Sequence, residues 1–251
     1  MSGSCSLLSL LVLPFLLCAC KEEEAKPAAD GIVEEAPAAW SYDGDTGPEH
    51  WDELSSDYAD CDGGRQSPID LADARPPNGA THLQTAYTTA EATVVDTGHA
   101  VQVNTVGGTL DVRDKTYVLE QLHVHTPSEH TLQGERYAAE IHLVHQSDDQ
   151  YAVLTTLVEQ GAPHPHLDEW VGEVGTTISY NAGWLLPERR SYYTYEGSLT
   201  TPPCTEGVRW VIFDTPIQAS SEQLDALRAR HDDNVRPLQS RNGRALVRVA
   251  P

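Results

Sequence analysis

The sequence predicts a mostly antiparallel β protein with a few peripheral helices, on three observations. Short runs such as "ATVVDTGHAVQVNTVGGTLDV", "YAAEIHLVHQ" and "VRWVIFD" are rich in β-favouring residues and separated by Gly, Pro and Asp turn signals. Helical periodicity is scarce. At 251 residues the chain is long enough for one large all-β domain with a real core.

The elements follow in chain order. The first nineteen residues carry no charged side chain. "LLSLLVLPFLL", Leu7 to Leu17, is an apolar run shorter than a membrane span and interrupted by Pro14, which predicts a signal peptide over 1–19. It ends in "LCAC", which resembles the lipobox of bacterial lipoproteins. That resemblance implies cleavage before Cys20, a lipid anchor on Cys20, and an exported protein facing the periplasm or cell exterior. Residues 20–39 are a Glu, Ala and Pro mixture with hardly any large apolar residue, so they read as a flexible acidic tether. From Trp40 the chain reads as a single domain, 40–251, with no internal repeat. Its clearest helix is "SSEQLDALRAR", where Ser220 and Gln223 make a capping box ahead of Leu224 and Leu227. With Cys5 and Cys18 leaving in the signal and Cys20 lipidated, Cys61 and Cys204 remain as the candidate disulfide of an oxidising compartment.

Sixteen basic against thirty-eight acidic residues give a net charge of −22. That charge repels nucleic acid and anionic lipid, so the only membrane contact expected is the N-terminal anchor.

The histidines carry the chemistry. Side chains alternate along a strand, so in "YVLEQLHVH" Tyr117, Leu119, Gln121, His123 and His125 are expected on one face. A second strand, "AAEIHLVH", puts Glu140, His142 and Val144 on one face, and pairing would bring His142 to His123 and His125. Three neutral imidazoles on rigid strands suit tetrahedral Zn²⁺ with one open position, which is the catalytic rather than the structural arrangement. Gln121 and Glu140, two residues away, can accept the remaining imidazole N–H groups. A rival pattern, the cupin motif, would make Glu129 a ligand, but Tyr117 stands where that motif expects its first glycine. His82 and His231 read as solvent-facing.

"GPEHW", "RQSPIDL", "GHAVQV", "QLHVHTPSEH", "YAAEIHLVH" and "YEGSLTTPPCTEGVRWVIF" occur in this order over almost all of residues 40–251. Together they resemble the α-class carbonic anhydrases in their secreted bacterial form. The resemblance implies a large twisted, mostly antiparallel sheet with zinc at the bottom of a conical cleft, and reversible hydration of CO₂ to bicarbonate. It makes His123, His125 and His142 the zinc ligands, with Gln121, Glu140 and the backbone of Asn234 accepting their outer hydrogen bonds. Thr200 matches the residue whose hydroxyl accepts from zinc-bound hydroxide and donates to a carboxylate, here Glu129. His99 matches the proton shuttle, and Val144, Val153, Leu199, Thr201 and Trp210 the substrate pocket. The resemblance also implies structural roles for His130 and His145. A Cys61–Cys204 disulfide is expected to steady the loop carrying Thr200. Relatives of this family that lose a zinc ligand act only as binding modules; all three ligands are present here, with Thr200, Glu129 and His99.

Overall fold

Turn chemistry punctuates the chain into short strands that neighbour one another. The computed structural model describes residues 39–78, 82–170, 172 and 174–250. The expected signal peptide, Cys20 and the tether up to residue 38 lie outside the described residues. The first strands are β1 (Leu83–Tyr87), β2 (Ala90–Asp96), β3 (Val101–Thr105), β4 (Gly108–Val112) and β5 (Lys115–His125). Between β2 and β3 the turn "DTGHA" closes because Gly98 adopts a left-handed φ of +83° and gives its N–H to Asp96 Oδ1 at 2.8 Å. Thr97 Oγ1 accepts from the Ala100 N–H, and His99 is displayed between them.

A small hairpin, β6 (Thr131–Leu132) with β7 (Glu135–Arg136), precedes the long strands β8 (Ala139–Ser147) and β9 (Gln150–Gln160). The rest are β10 (Thr177–Tyr180), β11 (Tyr192–Ser198), β12 (Glu206–Phe213), β13 (Ile217–Ala219) and β14 (Val247–Val249). One sheet runs β10-β2-β3-β5-β8-β9-β12-β11-β14, with β1 on β4, β4 also on β5, and β13 on β9. Its pairings are antiparallel except that β12 and β13 run parallel to β9. The exception is topological: a long connection containing β10 and β11 separates β9 from β12, so β12 enters beside β9 in the same direction.

The expected face of β5 is half right. Opposite β8, the register shifts between Leu119 and Gln121, so Glu120 is an extra residue. Such a bulge reverses the alternation. Tyr117 and Leu119 therefore pack with Leu122 and Val124 in the main core, while Gln121, His123 and His125 turn to the other face.

The sheet separates two apolar clusters. One holds Leu122, Ile141, Leu143, Leu154, Val211 and Phe213, and is covered by α2 (Ser221–Arg228) through Leu224 and Leu227. Its capping box is formed: Ser220 Oγ accepts from Gln223 N–H and Gln223 accepts from Ser220 N–H. The other holds Val144, Val153, Leu157, Tyr195 and Trp210. A third, smaller cluster joins Trp51, from the short helix α1 (Trp51–Leu54), to Tyr58 and the Cys61–Cys204 disulfide, with Trp40 and Tyr42 against it. Among the described residues no helix is long and apolar enough to cross a membrane.

Candidate metal centre

Strand pairing assembles the site. His123 on β5 lies directly opposite His142 on β8, and His125 stands two residues along on the same face. The ring centroids of the three imidazoles lie 4.7 to 5.0 Å apart. One nitrogen of each is taken. His123 Nδ1–H donates to Gln121 Oε1 at 2.9 Å, His125 Nδ1–H to Asn234 O at 2.6 Å, and His142 Nε2–H to Glu140 Oε1 at 2.7 Å. These acceptors set the tautomers, so the other three nitrogens present lone pairs.

Those nitrogens all lie within 4.8 Å of one another. His142 Nδ1 and His123 Nε2 are 3.1 Å apart. That is close to the ~3.3 Å separating two nitrogens bound tetrahedrally at ~2.0–2.1 Å to one zinc. His125 Nε2 is buried without a hydrogen-bond partner. Three converging lone pairs with no proton to share are repulsive unless a cation sits among them, and neutral imidazole donors suit Zn²⁺. Burial, reinforced by the charges that His142 and His125 would carry, holds His123 well below the usual histidine range. Burial likewise lowers His142, although Glu140 opposes it. Both effects favour the neutral, ligating form.

A network not legible in the sequence supports the triad. Glu140 is fully buried; its Oε1 also accepts His130 Nδ1–H at 2.7 Å and its Oε2 the His130 backbone N–H at 2.8 Å. His130 Nε2 accepts from Tyr195 Oη at 2.7 Å, and Tyr195 Oη meets Ser67 Oγ at 2.8 Å. Gly197 makes room for this chain, since a Cβ there would collide with Ser67 Oγ. His130, Glu140 and His142 also cluster closely enough to hold a metal. Their facing atoms are already paired donor to acceptor, so this group reads as a hydrogen-bond chain.

A cavity of about 230 Å³ opens on the triad, lined by His123, His142, Gln121 and Thr200 on its polar side. Val144, Val153, Leu199, Thr201 and Trp210 all line it, as does Tyr151, which sequence reasoning missed. Glu129 is fully buried beneath, with Oε2 3.6 Å from His125 Nε2 and Oε1 accepting the Arg236 N–H at 3.0 Å. The expected hydrogen bond from Thr200 to Glu129 is not made: Oε2 has no hydrogen-bond partner and the carboxylate faces the imidazole. Arg236, buried and also missed, donates to Gln66 Oε1, Ser67 O and Cys61 O. It stands two residues after Asn234, in the run "NVRP", whose spacing is the signal that could have found it. Asn234 binds with its side chain as well, accepting from Thr126 N–H and donating to His99 O and Val124 O.

His99 lies half-buried, stacked on Trp40 at 3.6 Å between centroids and 10° between planes. Burial, helped by the charge of His231, pulls its pKa down. His231, expected in solvent, is half-buried and its Nε2 lies 2.8 Å from Asp96 Oδ1, because the loop before Asn234 folds onto the "DTGHA" turn. Cys61 and Cys204 are joined, Cα to Cα 4.9 Å. Cys204 N–H donates to Thr201 O at 2.8 Å, which ties the bridge to the loop bearing Thr200.

Comparison with known proteins adds a family to this geometry. Residues 46–250 match the family model for eukaryotic-type carbonic anhydrase. The carbonic anhydrase of Pectobacterium atrosepticum is 37% identical over 225 residues, covering 83% of this chain and 90% of that protein. That of Klebsiella pneumoniae is 38% identical over 224 residues, covering 83% and 90%. Among solved structures, the α-carbonic anhydrase of Thermovibrio ammonificans in complex with the inhibitor sulfanilamide is similar with a TM-score of 0.80. It has 39% identity and is matched over 84% of this chain and 100% of that one.

Proposed function

The chain belongs to the α-carbonic anhydrase family, and from that premise we propose that it hydrates CO₂ reversibly to bicarbonate and a proton, with Zn²⁺ held by His123, His125 and His142. The observation that carries this reading is the convergence of three neutral imidazole nitrogens beside a cavity also lined by Val144, Val153, Leu199 and Trp210. Zn²⁺ bound there supplies a nucleophilic oxygen near neutral pH by lowering the pKa of water to about 7, an effect for which carbonic anhydrase is itself the reference case.

The chain's own residues divide the remaining work. Val144, Val153, Leu199 and Trp210 offer CO₂, which is uncharged and apolar, a surface from which water is readily displaced. Thr200 and Thr201 supply hydroxyls to the same cavity, able to hydrogen-bond the polar product. Gln121, Glu140 and Asn234 hold the imidazoles in the ligating tautomer. Glu129 sets its carboxyl 3.6 Å from His125 Nε2, and the Arg236 N–H fixes its position. His99, stacked on Trp40 and with its pKa lowered by burial, accepts the proton and passes it to solvent. Export with a lipid on Cys20 belongs to the same reading; palmitate labelling lost in Cys20→Ser would support it.

Stopped-flow CO₂ hydration with a pH indicator tests the enzyme. Native protein should be fast, and both the chelated protein and His142→Ala slow, with zinc restoring only the former. An inactive protein that is zinc-loaded and correctly oxidised would overturn the reading in favour of a binding module.

A further inference from the structure

Strand alternation turns Trp210 toward the triad and Arg209 to the opposite face of the sheet. Around Arg209 a second cavity of about 310 Å³ is lined by Arg65, Arg113, Arg209, Arg244, Glu196 and Tyr195. Four guanidinium charges face a single lining carboxylate in a molecule whose net charge is −22. Glu196 is already engaged by Arg209 and by Arg65 at 2.5 Å. Glu206, at the edge, takes the Arg65 backbone N–H and Gln66 Nε2.

The four arginines differ in what they leave free. Arg244 is fixed by the carbonyls of Arg241, Glu196, Gln66 and Ser240, so it forms a wall of charge. The Arg113 guanidinium makes no hydrogen bond or ion pair among the described residues; its backbone sits at a φ of +56° with its N–H donated to His82 O. Burial pulls Arg209 down, Glu196 opposes this and the charge of Arg113 adds to it. The arginines are thus within reach of one another's charge.

We propose that this cavity, distinct from the one that opens on the triad, binds a small oxyanion of the phosphate type, held by Arg113, Arg65 and Arg209. A dianion relieves the repulsion among the arginines and matches their planar N–H forks. Partly free guanidinium donors are what such an anion requires, and an unliganded cluster of like charges is otherwise unfavourable.

Calorimetric titration of the full chain with inorganic phosphate at low salt tests this. Metal-stripped protein serves as a second arm, because an open metal position also attracts anions. Glycerol phosphate in parallel separates a free ion from a phosphoryl group on an organic carrier; whichever binds more tightly names the source. Saturable binding that survives metal removal and weakens about tenfold or more in Arg113→Asn is expected, since one charge-assisted contact is worth roughly that factor. Asparagine tolerates the left-handed backbone, so the turn is kept. Arg113→Lys, which retains charge but not the fork, should fall between. CO₂ hydration should be unchanged in both variants. Absence of saturable binding, binding lost on metal removal, or binding indifferent to Arg113→Asn would each overturn the assignment.

Discussion

Glu140 clasps His130 twice, side chain to ring nitrogen at 2.7 Å and side chain to backbone N–H at 2.8 Å, while the same carboxylate holds His142. Burial pushes Glu140 up, but the charge and hydrogen bonds of His130 and His142 outweigh it and hold the carboxyl well below its usual range. The carboxylate is therefore ionised where it braces a metal-binding imidazole. Glu140→Gln removes that charge and one acceptor, and zinc affinity is expected to fall roughly 10- to 100-fold. Chelator competition measures it; an unchanged affinity in a variant with a native near-ultraviolet spectrum would refute the bracing role.

The Cys61–Cys204 bridge spans 143 residues of sequence. Chain entropy for a loop of that length corresponds to roughly 5 kcal/mol of stabilisation. Reduction should lower the melting temperature and also slow CO₂ hydration, because Cys204 is hydrogen-bonded to Thr201 beside Thr200. Thermal melts and hydration rates with and without reductant test both halves. If neither changes on full reduction, the bridge does not steady this loop.

Burial lowers His145 to about 4, and Tyr87 Oη donates to its Nε2 at 2.8 Å. The unfolded chain then takes up a proton near pH 6.5 that the folded chain refuses until about pH 4. Stability is full above the unfolded value and declines as pH falls through that window, by at most on the order of 3 kcal/mol. His145→Gln should flatten this part of the stability profile, as read by urea unfolding at a series of pH values. A slope as steep as in the native protein would remove His145 from the account.

Stacking on Trp40 shields His99, and burial is the main cause of its lowered pKa. Trp40→Ala should raise the midpoint of the pH dependence of kcat toward about 6.5, the ordinary histidine value. His99→Ala should cost at least roughly tenfold in kcat at low buffer and be rescued by imidazole, with kcat/KM much less affected. A rescue-free loss would assign His99 a structural role instead.

Much of the site could be read along single strands. His123 and His125 are two apart, Glu140 and His142 are two apart, and period-two alternation alone puts each pair on one face. Two local features escaped that logic. The bulge at Glu120 reversed the faces before Gln121, and its cause, one unpaired residue opposite β8, is not visible in the β5 sequence by itself. His231 looked exposed because its contact, Asp96, lies 135 residues away in sequence.

By itself, the sequence determined the β class, the α2 helix with its capping box, the two cysteines left to pair and the identity of the three imidazoles. The helix and the strand faces depend on residue type and short spacing, which act locally, and the cysteine pair on which cysteines remain to pair. Only the tertiary structure decided which imidazole nitrogens face inward, that Glu129 turns to His125 rather than Thr200, and that Glu140, His130, Tyr195 and Ser67 form one hydrogen-bond chain. It also decided that four arginines from distant segments share one cavity. Those outcomes depend on angles and distances of a few ångströms between strands far apart in the chain, and hydrogen bonds and charges respond to such distances rather than to sequence order.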